Sequence, residues 1–405
     1  MPLQYKKDAP DMKKRLMILG AGTYQVPLIK KAKDKGLTVI VVSPNGNYPG
    51  IKLADIHIDI DTTDEENIIK AAVKYKISGI TTTGTDVCVP SLGRVVDELG
   101  LAGTGYEAAC KSMDKILMKQ AFVEYNVLTA KFDFFKSESD AKEYACLIGY
   151  PVMVKATDSS GSRGIAKVDS GEGFNSAWID ALEVSRSKEI IIEEYLEGIE
   201  FGAQAFIKDN EVTLVFPHGD TVTPGPYFTP VGHSMPTQLP KKLQVETKKI
   251  IEKAVQALGI NNCISNVDLM LVNGMPAVIE IGARMGATCL PENISIYSGV
   301  DAYEYAIDLA LGNKCEYIAQ QEQANACLLL MSDKTGTLKN IHVPKSILEH
   351  EDLIGIQWDV SIGDKVRKFT VGPDRIGHII VKGKSAVESE KLVEHMVSQI
   401  SLEVV

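Results

Sequence analysis

"NVDLMLVNGMPAVIEIGAR", residues 266–284, carries two acidic residues inside otherwise apolar, strand-like runs. The runs flank Asn273-Gly274, a dipeptide typical of the tight turn of a β-hairpin. Because an unpartnered carboxylate is costly to bury, Asp268 and Glu280 predict a cation beside them.

The register of this hairpin decides whether the two acids meet. A two-residue turn would pair Val272 with Met275 and leave the acids on opposite faces of the sheet. A three-residue turn would pair Val272 with Pro276 and set Asp268 directly opposite Glu280. A shared cation needs the second register, so we expect the longer turn. A solvated sheet face with an ion pair is the alternative interpretation.

Strand alternation extends this polar patch. With a period of two, Gly282 and Arg284 share the face of Glu280, and Asn266 shares the face of Asp268. Such a patch suits magnesium, phosphate and an anionic substrate.

A second polar segment, "VKATDSSGSRGIAKV" at residues 154–168, lies between two apolar runs. Its loop offers backbone N–H groups, hydroxyls and a guanidinium, and its glycines allow a ligand to approach the backbone closely. No GK[ST] follows, so it is not a Walker loop. The inventory predicts a polyphosphate site, with an ordinary hairpin tip as the alternative. The candidate residues are Lys155, Ser159, Ser160, Gly161, Ser162 and Gly164.

Two further segments fit a nucleotide. Lys115 precedes Lys155 by 40 residues, so lysines from separate elements would bracket one phosphate chain. In "IIIEEYLEGIE", residues 190–200, we expect the backbone at 194–196 to read an adenine edge and Glu200 to accept hydrogen bonds from ribose hydroxyls. A surface lysine and an acidic connector are the plain alternatives.

Upstream of these segments, short β-rich runs alternate with helical ones. Apolar runs such as "RLMILGAG" and "TVIVVSP" are typical of buried parallel strands and predict a doubly wound α/β unit. In "LGAGTYQ", Gln25 stands where a dinucleotide fingerprint needs its third glycine, and no acid closes the second strand, so nicotinamide binding is not expected.

The remaining pattern divides the chain into four parts. After Lys188, consecutive strand-like runs joined by short turns predict an antiparallel sheet, interrupted by a helix near residues 240–258. The predicted organisation is an α/β domain (1–112), a small α+β lobe with the phosphate loop (113–190), a larger α+β lobe with the metal site (191–315) and a C-terminal α+β extension (316–405).

Composition narrows the class of partner. The net charge of -10 among 405 residues argues against nucleic acid and against anionic membranes. No apolar leader or membrane-spanning stretch is visible, and the seven cysteines are scattered without a CxxC or a Cys/His cluster. We therefore expect a cytoplasmic protein without a zinc site.

The ordered set of motifs resembles the ATP-grasp superfamily, in particular carboxylate–amine ligases and the large chain of carbamoyl-phosphate synthetase. No single piece is specific, but the order is: Lys115, Lys155, the serine/glycine loop, "EEYLEGIE", Asp268, Glu280 and Arg284. The resemblance covers nearly the whole chain. It implies an ATP-grasp fold, with a pre-ATP-grasp domain, two lobes that grip ATP, and a C-terminal extension.

The resemblance also implies a reaction. A carboxylate would take the γ-phosphoryl group of ATP with Mg²⁺ (or Mn²⁺), and an amine would attack the acyl phosphate, releasing ADP and phosphate. Asp268 and Glu280 would hold the metal, Lys155 and Arg284 would act in catalysis, and the loop 158–164 would close over the phosphates. Nucleotide contacts would come from Lys115, Lys155, Glu193, Glu194, Tyr195, Leu196 and Glu200.

Departures from the family pattern narrow the subfamily. Gly282 stands where the family usually has a metal-binding asparagine, so a second magnesium would be held through water or substrate, or would be absent. The run "EIGARMGATCLPENIS" lacks the patterns of biotin carboxylases, carboxyaminoimidazole synthetases and phosphoribosylglycinamide synthetases. What remains is nearest to the amino-acid and peptide ligases.

The substrates are small carboxylates and amines of undefined identity. "TPGPYFTPVGHSMPTQLP", residues 223–240, is expected to be a loop that forms a substrate wall. His233 in it is a candidate substrate contact or proton carrier, or else a solvated histidine, and Arg163 and Arg284 are further candidate contacts. A purine-pathway ligase and an inactive ATP-binding homologue are the alternative functions. A homodimer and a monomer are both compatible with the sequence.

Overall fold

The computed structural model describes residues 13–158, 164–223, 229–315 and 317–405. Its N-terminal unit is a parallel sheet with helices on both faces. The strands are β1 (Arg15–Leu19), β2 (Thr38–Ser43), β3 (Ile56–Asp59) and β4 (Gly79–Thr81), in the order β3-β2-β1-β4. The helices are α1 (Val26–Asp34), α2 (Glu65–Tyr75), α3 (Val89–Leu99) and α4 (Tyr106–Lys111). Because α1 covers one face and α2 with α3 the other, both faces of β1 and β2 are buried, and the predicted doubly wound unit is confirmed.

The small lobe is an antiparallel sheet of order β5-β8-β6-β7, packed against α6 and α7. Its elements are α5 (Lys115–Glu124), β5 (Phe132–Phe135), α6 (Glu138–Ile148), β6 (Val152–Ala156), β7 (Ile165–Val168), α7 (Phe174–Val184) and β8 (Ile190–Glu194). The sequence grouped the run from residue 190 with the larger sheet, and this was wrong. β8 pairs with β5 and β6, so the small lobe extends to Glu194.

The large lobe contributes five strands of an eight-stranded sheet and the helices around it. Its elements are β9 (Ile199–Lys208), β10 (Glu211–Val222), β11 (Pro230–Met235), α8 (Lys241–Leu258), β12 (Cys263–Val272), β13 (Met275–Gly282), α9 (Leu290–Ser298) and α10 (Ala302–Ala310). α8 covers β12, β13 and β9 from one side, where its apolar stripe completes the largest core of the molecule.

The C-terminal extension continues this sheet rather than standing apart from it. The strand order is β13-β12-β9-β10-β11-β14-β18-β16, and a separate three-stranded sheet has the order β17-β15-β19. The elements are β14 (Asn325–Leu330), β15 (Gly336–His342), α11 (Lys345–Leu348), β16 (Leu353–Trp358), β17 (Lys365–Val366), β18 (Gly377–Lys382), α12 (Ala386–Gln399) and β19 (Ser401–Val404). None of the helices in the described ranges is both long and apolar enough to cross a bilayer.

A buried polar cluster joins the C-terminal part to the N-terminal unit. The Arg375 guanidinium pairs with Asp359 at 2.7 Å and lies 4.7 Å from the centre of the Tyr24 ring. His378 on β18 is buried beside them, and no atom of the described residues hydrogen-bonds its Nδ1. Burial, helped by the charge of Arg375, lowers the pKa of His378 to about 4.

This pKa makes stability depend on pH in the acid range. Between the ordinary histidine pKa of about 6.5 and the folded value of about 4, the unfolded chain binds a proton that the folded chain does not. The free energy of unfolding therefore falls as pH is lowered through this window. His378→Gln should make the slope shallower by up to about one proton, measured by urea unfolding between these pH values. His395→Gln, at an exposed position on α12, should keep the wild-type slope, and an unchanged slope in His378→Gln would contradict the assignment.

Candidate active site

The two acids predicted to share a cation lie directly opposite each other, Asp268 on β12 and Glu280 on β13. The predicted three-residue turn is wrong, however, because Val272 pairs with Met275 around a two-residue turn. A β-bulge further along the strand absorbs Ile279 and shifts the register by one residue, which brings the acids together.

The turn itself follows from its residues. Asn273 and Gly274 both adopt positive φ, at 50° and 79°, as a type I′ turn in a two-residue hairpin requires. Asparagine and glycine are the residues that adopt this conformation at least cost. The Asn-Gly dipeptide therefore accounts for the two-residue turn. The bulge at Ile279 accounts for the register that sets Asp268 opposite Glu280.

The opposed carboxylates of Asp268 and Glu280 form the candidate cation site. Burial first, and then the charge of Glu280, raises the pKa of the Asp268 carboxyl well above its ordinary value. Lys115 Nζ lies 3.4 Å from Glu280 Oε2 and offsets part of the negative charge. Oxygen ligands at this spacing on two rigid strands suit a hard divalent cation.

A buried chain of three charges holds the predicted phosphate lysine. Lys155 Nζ lies 2.5 Å from Glu193 Oε2, and Lys119 Nζ lies 3.1 Å from Glu193 Oε1. Burial alone would raise the pKa of the Glu193 carboxyl, but the two ammonium groups outweigh it and lower that pKa. Glu193 was predicted as a nucleotide contact. In the structure its carboxylate pairs with Lys155 and orients the ammonium group.

Lys119 was missed by the sequence analysis. It is almost completely buried, and its Nζ donates to Thr129 Oγ1. The signal for it was present, because Lys115 and Lys119 are four residues apart on α5 and therefore lie on one face of that helix.

The predicted adenosine segment follows the end of β8. The backbone N–H of Glu194 donates to Lys131 O at 2.8 Å, and that of Tyr195 to Pro151 O at 3.3 Å. Of the three amides proposed to read adenine, that of Leu196 is the one engaged by no hydrogen bond among the described residues. Glu200 lies on β9 in an exposed position, opposite Met270.

Arg284 reaches the site already paired with an acid from the N-terminal unit. Its Nε and Nη2 lie 2.6 and 2.9 Å from the two carboxylate oxygens of Asp86. Asp86 was not predicted, although it follows the carboxyl end of β4, where open α/β sheets place ligand-binding residues. Part of the Arg284 guanidinium is therefore already in use.

Asn266 occupies the predicted face beside Asp268. Its Nδ2 donates to Asp268 Oδ1 at 2.9 Å, while its Oδ1 accepts from Gln204 Nε2 at 2.5 Å. Gly282 is its partner across the strand pair. An amide is thus present next to the acids, contributed by β12 instead of β13.

Two other predictions have a different outcome. Ser159, Ser160, Gly161, Ser162 and Arg163 lie outside the described residues, while Gly164 adopts a φ of 64° and its carbonyl accepts from Ala156 N. The expected loop at 223–240 is in part strand β11, because residues 230–235 fill the space between β10 and β14. His233 is consequently buried in a strand and is not a solvated loop residue.

Removal of Lys119 tests the buried chain of charges. Lys119→Ala leaves Glu193 with one partner, which we expect to cost about 3–5 kcal/mol of the free energy of unfolding. It should also weaken ATP binding, because Glu193 then draws Lys155 towards itself. Chemical unfolding and nucleotide titration measure the two effects. Lys131→Ala is the control, since its pair with Glu194 is exposed and 3.8 Å long, and equal effects of both variants would contradict the role of Lys119.

Comparison with known proteins agrees with this geometry. Residues 148–292 match the family described as "ATP-grasp domain", and residues 328–405 match "L-amino acid ligase C-terminal domain 2". A phosphoribosylglycinamide synthetase from Anaerococcus prevotii is 32% identical, with a TM-score of 0.82, over 97% of this chain and 100% of that one.

Two amino-acid ligases are more distant in sequence. The L-amino acid ligase from Bacillus licheniformis has a TM-score of 0.83 at 19% identity, over 97% of this chain and 99% of that one, so this likeness concerns the fold. Alanine–anticapsin ligase from Bacillus subtilis (strain 168) is 25% identical over 62% of this chain. The match spans 58% of that ligase, a little over half its length.

Proposed function

The chain belongs to the ATP-grasp superfamily, and we propose that it is a Mg²⁺-ATP-dependent ligase that joins the carboxylate of one small molecule to the amine of another. ATP would phosphorylate the carboxylate, and the amine would displace phosphate from the acyl phosphate. The observation that carries the proposal is the opposition of Asp268 and Glu280 within reach of Lys115 and Arg284.

Asp268 and Glu280 would hold the magnesium ion that the reaction uses. ATP-grasp ligases use ATP with Mg²⁺, and a buried Asp268 carboxyl whose pKa is raised by burial and by the facing Glu280 fits such an ion. When bound, the ion neutralises charge on the transferring phosphoryl group. Mn²⁺ has the same preference for oxygen ligands and would substitute for it.

The lysines supply the rest of the phosphate contacts. Lys155 is oriented by Glu193, and Lys115 extends from the start of α5 towards Glu280, so the two approach a phosphate chain from separate elements. Phosphoryl transfer requires little covalent help from protein, so catalysis depends mainly on positioning and on stabilising charge. Fixed ammonium groups supply that stabilisation. As the ATP-grasp resemblance implies, the serine/glycine loop would close over the phosphates and exclude water from the acyl phosphate.

The amino-acid ligase assignment rests on the C-terminal match, and Arg284 would bind the acid. A guanidinium binds a carboxylate through paired N–H donors, and Asp86 fixes the plane of this one. His233 and Arg163 remain candidate substrate contacts. All seven cysteines are unpaired, which supports a cytoplasmic location for this reaction.

A purine-pathway ligase is the second candidate. The phosphoribosylglycinamide synthetase named above is more similar in sequence than either amino-acid ligase, and it aligns over its whole length. A phosphoribosylamine carries a phosphate that an amino acid lacks, so the two candidates predict different activating substrates.

A substrate screen tests the proposal. With Mg²⁺-ATP and a panel of amino acids and small carboxylates, we expect ADP and phosphate to appear only with particular acids. Hydroxylamine should then trap an acyl hydroxamate. Stimulation only by glycine with phosphoribosylamine would favour the second candidate. Release of AMP and pyrophosphate would refute the reaction class, and ATP binding without turnover on any substrate would indicate an inactive homologue.

Glu280→Gln tests the metal site. The variant keeps the shape of the side chain and removes the charge opposite Asp268, so the fold should persist while Mg²⁺-dependent turnover falls by at least about 100-fold, in the range typical for loss of a key electrostatic contact. Steady-state ADP release measures it. Glu211→Gln, at the exposed start of β10, is the matched control and should retain activity. Full activity in Glu280→Gln would exclude this residue as a metal ligand.

A further inference from the structure

Two histidines and an aspartate meet on β10 and β11, outside the pair formed by Asp268 and Glu280. We propose that His218, Asp220 and His233 bind a divalent transition-metal ion, with zinc as the best match, at a site separate from the magnesium site. One potential ligand atom from each residue lies within 4.8 Å of those of the other two.

The strands fix the three side chains on one face. Asp220 is directly opposite His233 in the register of β10 with β11, and His218 precedes Asp220 by two residues and so shares its face. Directly opposite His218 on β9 is Gly202, where a Cβ would lie 2.1 Å from the imidazole Cε1. The space for the His218 ring therefore depends on a glycine in the neighbouring strand.

Both imidazoles converge on the carboxylate. His218 Nδ1 lies 2.8 Å and His233 Nδ1 2.5 Å from the same oxygen, Asp220 Oδ1, and the ring planes are 80° apart. Ligand atoms around tetrahedral zinc, with bonds of about 2.0–2.2 Å, are roughly 3.3 Å apart. To reach that spacing, the separation of Asp220 Oδ1 would have to grow by about 0.5 Å from His218 Nδ1 and about 0.8 Å from His233 Nδ1.

Burial disfavours the metal-free arrangement. A neutral imidazole that donates its Nδ1–H to Asp220 carries a bare lone pair on Nε2. His218 is 1% exposed, and its Nε2 has no hydrogen-bond partner among the described residues. A buried, unsatisfied acceptor is costly. A metal on Nδ1 moves the hydrogen to Nε2, which turns this nitrogen into a donor on a face of the sheet that carries several acids.

The ligand set selects the class of ion. Two imidazoles and one carboxylate suit zinc and its neighbours in the first transition series, whereas magnesium prefers oxygen ligands alone. Three protein ligands also leave a fourth position open for water or a small lone-pair donor. The two proposed sites should therefore differ in ion selectivity. Asp268 and Glu280 should bind magnesium, and the site with the two histidines should bind zinc or cobalt.

Cobalt binding tests the site without any reliance on enzyme activity. Full-length protein, stripped with a chelator and supplied with excess Mg²⁺, is titrated with Co²⁺ and followed by visible absorption, and then with Zn²⁺ by calorimetry. We expect about one equivalent of ion, a tetrahedral cobalt spectrum that zinc displaces, and a rise in Tm.

Matched variants locate the ion. Asp220→Asn and His233→Gln should weaken Zn²⁺ binding more than about 100-fold, beyond the loss typical of an outer-sphere partner. His218→Gln is a further ligand variant in case either of these fails to fold, as judged by circular dichroism. His395→Gln, on the exposed side of α12, should bind as the wild type does.

The outcomes also separate this site from the magnesium site. Glu280→Gln should retain cobalt binding, whatever its effect on turnover. The proposal is overturned if folded wild-type protein takes up neither ion, if the folded ligand variants bind as tightly as the wild type, or if Glu280→Gln abolishes the cobalt spectrum. Because no outcome depends on ADP release, the ligase assignment and this site can fail independently.

Discussion

The repulsion between Asp268 and Glu280 is the constraint around which the rest of the site is arranged. Two carboxylates on adjacent strands, one of them largely withdrawn from water, are unfavourable unless positive charge lies between or beside them. Lys115 reaches the pair from α5 of the small lobe, and Arg284, which follows β13 in the same lobe as the acids, is held by Asp86 of the N-terminal unit. The acids therefore hold the small lobe, the large lobe and the N-terminal unit to one arrangement.

Every buried cation near the site is itself held by an acid. Glu193 orients Lys155 and Lys119, and Asp86 orients Arg284. Such pairing limits the reorganisation needed when phosphate arrives, because the charges are already in place. In each of these pairs the cation and its acid come from different elements of the fold.

Much of this architecture followed from local sequence patterns. Continuous apolar runs identified the parallel sheet, and the acids within apolar strands identified the two carboxylates that the sheet sets opposite each other. Apart from Lys119, whose helical spacing from Lys115 was a local signal, the contributions that escaped detection depend on non-local pairing. Sequence does not reveal that the strand ending at Glu194 pairs within the small lobe, that Ile279 is bulged, or that Asp86 faces an arginine almost 200 residues away. His233 was assigned to a loop because its flanking prolines and glycines obscured a strand.

The pair between Asp86 and Arg284 has a consequence for how this protein diverges from its relatives. Replacing either partner alone leaves the other as an uncompensated, largely buried charge, which is worse than losing both. The effects of the two substitutions are therefore strongly non-additive. Among related proteins, residues 86 and 284 should therefore change together. A change in the acid bound near residue 284 would then be accompanied by a change in the loop of the N-terminal unit that carries residue 86.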